Sequence, residues 1–178
     1  MKKTLLIALA LVAICIMPSC VKDSEKDKIV FGNDSGMSVI SYEGIPLVEQ
    51  YGHNSWGYTI DLNGDGQHDI QFHSTSEIAE GGILTELYCK HTDIALLGDL
   101  IDQKFTLFAN DAKDSFGDDG TFMSTDVKLR EGDKYYFPKD ETKYIGFKLT
   151  ENDKSRLGWM KVILHDDEVE LLETAIQK

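Results

Sequence analysis

From Ile29 onward the chain is a succession of short apolar or alternating runs, each broken by Gly, Asn or Asp. Ile29-Val30-Phe31 stops at Gly32-Asn33-Asp34, and Tyr58-Thr59-Ile60 runs into an acidic loop. Ile70-Gln71-Phe72-His73 alternates on leaving that loop. Further runs follow at 105–108, 134–137, 144–149 and 159–164. Side chains two apart share one face of a strand, so such runs bury one face and wet the other. Many of them at fairly even spacing, with turn residues between, predict an all-β chain folded as an antiparallel β-sandwich. Helix is expected in short segments at most. The best helical candidate is Ile94 to Ile101, whereas Val169 to Ile176 fits either period. No repeat or low-complexity block follows residue 28, so residues 29–178 read as one domain.

A hydrophobic fraction of 42% is enough to fill a core in a chain of 178 residues. The formal net charge of −13 excludes a nucleic-acid-binding body, because phosphate contacts need clustered Lys and Arg. It equally opposes attraction to an anionic lipid surface, so any membrane attachment must be covalent or hydrophobic.

The first residues read as a targeting segment. Met1-Lys2-Lys3 is followed by an almost wholly apolar run from Thr4 to Met17, then Pro18-Ser19-Cys20. That run is shorter than the ~20 apolar residues a spanning helix needs, and its layout is that of a secretory signal. With small Ser19 directly before Cys20 and a polar chain after it, the segment resembles a bacterial lipoprotein signal. The resemblance implies cleavage of residues 1–19, lipidation at the Cys20 thiol and a place at the outer membrane, anchored by lipid. Cleavage removes two lysines and no acid, which deepens the side-chain balance from −13 to −15. Residues 20–28 then form the lipidated Cys and a charged tether. Cys89 is left as a single thiol in an alternating stretch, which suits a buried strand position better than a nucleophile.

The sharpest chemical feature is Asp61-Leu62-Asn63-Gly64-Asp65-Gly66-Gln67-His68-Asp69. It sets oxygen side chains at positions 1, 3, 5 and 9, with Gly66 at the tight bend of position 6. Hard Ca2+ takes six to eight oxygens, and alternate residues of a curled loop turn theirs inward. The expected ligands are Asp61, Asn63, Asp65, the Gln67 carbonyl and Asp69, holding a structural calcium in a fold with no disulfide to staple it. Position 12 is Phe72 and a strand pattern follows, so the segment is not a complete EF-hand. It resembles the DxDxDGxxD hairpin loops of integrin-type propeller repeats and of secreted bacterial β domains. A metal-free Asn-Gly-Asp-Gly turn is the other reading of the same residues. A second acidic stretch, Asp111 to Gly120, is irregularly spaced and reads as a solvated loop.

Together with Tyr144-Ile145-Gly146-Phe147-Lys148 and Leu157-Gly158-Trp159-Met160-Lys161-Val162, this hairpin resembles a class of surface-exposed bacterial lipoprotein β domains. The likeness covers roughly residues 55–75 and 142–165. It implies a sandwich fold and a cell-envelope location, and no reaction.

Trp159 is expected in the core. Trp56 and Tyr58, beside His53 and Asn54, are candidate rings for stacking on a sugar. Five scattered histidines form no HExxH, and neither GxSxG nor CxxC occurs, so no enzyme is expected. The leading expectation is a non-enzymatic envelope domain for binding, adhesion or assembly. A carbohydrate-binding module of a nutrient-uptake system is the alternative, and a small hydrolase the third.

Overall fold

The computed structural model describes residues 28–42, 49–50, 54–76 and 82–178, so the signal segment, Cys20 and His53 lie outside the described residues. The described residues contain strands and turns and no helix. In chain order the first strands are β1 (Ile29–Val30), β2 (Met37–Ser41), β3 (Glu49–Gln50), β4 (Ser55–Ile60) and β5 (Ile70–Thr75). Next come β6 (Leu84–Cys89), β7 (Ile94–Ile101), β8 (Lys104–Leu107), β9 (Ser115–Phe116) and β10 (Phe122–Met123). The last are β11 (Val127–Glu131), β12 (Lys134–Tyr135), β13 (Thr142–Glu151), β14 (Lys154–Leu164) and β15 (Val169–Gln177).

The strands pair antiparallel into two main sheets, neither closed into a barrel. One runs β12-β11-β6-β5-β4-β3; the other runs β10-β7-β13-β14-β15-β2, with β8 hairpinned onto β7. The expected all-β sandwich is therefore the observed architecture. Alternation supplies its core. Phe72, Leu87 and Leu129 from the first sheet meet Leu96, Ile145, Phe147, Met160 and Val162 from the second, all at most 1% exposed. Each large side chain so enclosed contributes ~1.5–3 kcal/mol of transfer free energy.

A third layer covers the far side of the seven-stranded sheet. The ribbon β1–β9 lays Ile29, Phe31 and Phe116 over Leu97, Tyr144, Leu157 and Trp159. Phe31 stacks on Phe116 with centroids 4.9 Å apart, and Tyr144 meets the Trp159 ring edge-on at 5.4 Å. Trp159 is thus a core residue as expected, on the face of β14 opposite Met160 and Val162.

The helix expected over Ile94–Ile101 is instead strand β7. Ile94 and Leu96 enter the sandwich core while Leu97 enters the outer cluster. A strand covered on both faces loses its apolar–polar alternation, and the resulting run imitates a buried helix. The ambiguous C-terminal segment is strand β15, broken by a bulge between the pairs Lys161↔Glu173 and Val162↔Leu171. The extra residue, Leu172, shifts the phase, so Val169, Leu171, Thr174 and Ile176 are buried on the inner face, while Ala175 is buried in the outer cluster. That spacing belongs to neither period.

Candidate metal centre

Strands β4 and β5 pair from Ser55↔Thr75 up to Ile60↔Ile70, and residues 61–69 close the hairpin. The Asp69 N–H donates to the Ile60 carbonyl at 2.8 Å, which fixes the mouth of the loop. Inside it, Gly64 (φ 78°) and Gly66 (φ 86°) take left-handed conformations that a side chain would strain. The bend lets the Asp61 carboxylate accept N–H bonds from Gly64 at 2.6 Å, Asp65 at 3.2 Å and Gly66 at 2.7 Å. Asn63 Oδ1 accepts from the Asp65 N–H at 2.9 Å, and Asp65 Oδ1 from the Gln67 N–H at 2.7 Å. Asp69 Oδ2 accepts from the N–H of buried Leu62 at 2.7 Å.

Asp61, Asn63, Asp65 and Asp69 are thus folded into one loop with their oxygens turned on its backbone. The side chains of Gln67 and His68 are exposed. Among the described residues no three His, Cys, Asp or Glu side chains stand as a ready-made metal cage. The loop's electrostatics are nevertheless unbalanced. Burial raises the Asp69 pKa, the Leu62 N–H opposes the rise, and the charges of Asp61 and Asp65 add to it. Asp65 moves the other way, held down by hydrogen bonds from the Gln67 N–H and the Asn63 amide. The charges of Asp61 and Asp65 thus add to burial in disfavouring the ionised form of Asp69, and a cation beside it would relieve that conflict.

One carboxylate at this site lies far away in sequence. Asn63 Nδ2 donates to Glu151 Oε1 at 2.6 Å as well as to Asp65 Oδ2 at 3.0 Å. Glu151 ends β13 at a tight hairpin whose corner residues Asn152 (φ 49°) and Asp153 (φ 62°) are both left-handed. It also pairs with Arg156 across that hairpin. No local pattern marks Glu151, because only the β13–β14 register brings it to the loop.

The structure separates the two candidate sugar-stacking rings from solvent to different degrees. Trp56, Tyr58 and Ile60 share the inward parity of β4. Tyr58 is buried, its ring 5.4 Å from that of Phe72 and its hydroxyl donating to the Val169 carbonyl at 2.8 Å. A ring enclosed this way offers no face to a sugar. Half-buried Trp56 donates its indole N–H to the Asp167 carbonyl at 2.5 Å, tying β4 to the β14–β15 turn. On the opposite face of the hairpin, the Ser55 hydroxyl and His73 Nε2 stand 2.5 Å apart. Cys89 is half-buried in β6, and burial pushes its thiol up to about 11, which leaves it protonated and unreactive at neutral pH.

Comparison with known proteins returned no match to a family, to a curated protein or to a solved structure.

Proposed function

We propose that this chain is a lipid-anchored protein of the bacterial cell envelope whose β-sandwich is a binding or adhesion domain stapled by calcium. The observation that carries the calcium reading is the 61–69 loop. There Asp61, Asn63, Asp65 and Asp69 lie in one loop with their oxygens turned onto its backbone, and buried Asp69 is held against two like charges. Calcium adds charge neutralisation at this loop, and the Gln67 carbonyl completes the proposed ligand set. The ion's task is structural: it fixes the β4–β5 hairpin, and through Asn63 and Glu151 the β13–β14 hairpin beside it. Anchoring through Cys20 rests on the Pro18-Ser19-Cys20 junction after an apolar run, and a tether of mixed charge sets the domain off the lipid.

Thermal melts in calcium and in chelator test the staple. Extracellular Ca2+ modules bind at ~10⁻⁴–10⁻³ M, so 10 mM Ca2+ is ~10–100 times Kd and stabilises by about 1.4–2.7 kcal/mol. In a domain of this size that raises Tm by roughly 3–10 °C. Asp65→Ala is expected to abolish the rise. An unchanged Tm in the wild type, or an undiminished rise in the variant, refutes the calcium staple.

A further inference from the structure

Exposed apolar side chains gather where two hairpins face each other. The β7–β8 and β11–β12 hairpins enclose a cleft of about 640 Å3, walled by Ile101, Leu107, Leu129 and Tyr136. Ile101 is 55% exposed and Tyr136 44%, whereas Leu107 and Leu129 form a buried floor. A cleft of this size suits a bound segment or small ligand. Its lining carries Lys104, Lys128 and Lys134 against Asp102, Asp126 and Glu131. The lining is therefore balanced in charge within a chain whose formal charge is −13, so it offers a charged partner no net attraction and suits an uncharged one.

The backbone decides what kind of partner. The β7–β8 turn has two residues, Asp102 (φ 51°) and Gln103 (φ 64°), closing the pair Ile101↔Lys104. In such a hairpin the pair next to the turn is hydrogen-bonded and the pairs alternate from there. Thr106 therefore bonds back to Asp99, while the N–H and C=O groups of Phe105 and Leu107 point away from β7. Among the described strands β8 pairs with β7 alone. Strand β11, across the cleft, is already bonded on both edges, to β6 and β12. It also carries a bulge at Leu129, where the register shifts between Lys128 and Arg130. The cleft thus presents an unused ladder edge along one side and apolar walls around it.

We infer that this cleft binds an extended, uncharged segment of a partner polypeptide, apolar at alternate positions, which adds as a strand to the free edge of β8. The main-chain groups of Phe105 and Leu107 supply the ladder bonds. Ile101 and Tyr136 grip the alternate side chains. The inference gives a partner to the binding role proposed above, and no residue of the calcium loop takes part in it.

The test uses the labelled peptide SVTVTVS and the proline-interrupted control SVTPTVS, titrated into the full chain by fluorescence anisotropy. The measurement is made in calcium and again in chelator. SVTVTVS is expected to bind with Kd of about 10–100 μM, the range of weak transient contacts, and the control at least about tenfold more weakly. Ile101→Ser and Tyr136→Ala, both at exposed positions, are each expected to weaken binding about threefold to tenfold. Val39→Ser on the β2 edge is expected to leave it unchanged. In amide exchange, the N–H groups of Phe105 and Leu107 are expected to slow when the peptide is bound. Equal binding of the two peptides overturns the inference, as does protection that appears at Val39 and Ile40 instead of β8. Concentration-dependent dimerisation that blocks the peptide also overturns it, making a second copy the occupant. Failure of the peptide beside an intact calcium-dependent melting shift removes the cleft alone and leaves the calcium staple standing.

Discussion

Replacing Gly158 by Ala puts the packing of the central β13–β14 pair to a direct test. Gly158 lies opposite Phe147 on β13 and Ile176 on β15. A Cβ added there would sit 2.2 Å from Phe147 Cζ, 2.5 Å from Phe147 Cε2 and 2.5 Å from the Ala175 carbonyl oxygen. Carbon atoms rest at ~3.5–4.0 Å, so the ring would have to retreat by more than 1 Å. Phe147 is fully buried and has nowhere to go, and the Ala175 oxygen belongs to a ladder. Overpacking of this kind costs about 1–3 kcal/mol, with the backbone clash setting it at the upper end. Against that, Ala reduces the freedom of the unfolded chain by about 0.4–1 kcal/mol. The expected net loss is about 2–2.6 kcal/mol, or roughly 4–10 °C in Tm. Urea denaturation followed by tryptophan fluorescence measures it. In a Phe147→Leu background the ring atoms are gone and only the carbonyl contact remains, so the same substitution should cost at least about 1 kcal/mol less. A Gly158→Ala variant within about 0.5 kcal/mol of wild type, or a cost untouched by Phe147→Leu, refutes the reasoning.

Other outcomes follow from the β14–β15 turn. His165 places Nδ1 3.1 Å from Asp140 and Nε2 3.2 Å from Glu170. Burial works against its charged form, but the two carboxylates outweigh it and raise its pKa above the usual value. Its contribution is then fully present below the unfolded pKa of ~6.5 and is lost as pH rises through the higher folded value. Because the side chain is about one-third exposed, the effect is held to under ~1 kcal/mol. Urea midpoints at pH 5.5 and 8.5 are expected to differ less in His165→Gln than in wild type, and an equal difference counts against the clip. Tyr58→Phe removes the donor to the Val169 carbonyl inside the core and is expected to cost about 1–2 kcal/mol in the same assay. A neutral result would mean that the carbonyl finds another donor.

The fold was legible wherever a strand has one wet face. β5 alternates as Ile70, Phe72 and Ser74 inward, and its pattern reads directly as a strand. β7 was not legible, because the β1–β9 ribbon turns its second face into core and erases the polar half of the pattern. β15 resisted because Leu172 inserts a phase slip that periodicity cannot represent. The 61–69 loop is local, so its spacing of oxygens and glycines carried the calcium expectation unaided. Glu151 was invisible for the opposite reason, reaching Asn63 only through tertiary register. Trp56 and Tyr58 look like loop aromatics beside His53 and Asn54, yet the Trp-Gly-Tyr-Thr-Ile alternation already set them on the face of Ile60. Composition drew attention away from that parity.

The pairing of β2 with β15 bears on when this molecule can fold at all. Ser41 stands opposite Glu173 and Met37 opposite Gln177, so an early strand is completed only by the final one. Trp56 and Tyr58 reach just as far along the chain, to Asp167 and Val169. Closing such long loops precedes any gain from the contacts they permit, which puts folding in the millisecond-to-second regime of non-local β proteins. The seven-stranded sheet therefore lacks its last two strands until residues 169–177 are synthesised. The sandwich is closed only once residues 169–177 are in place, and residues 28–164 cannot complete it by themselves.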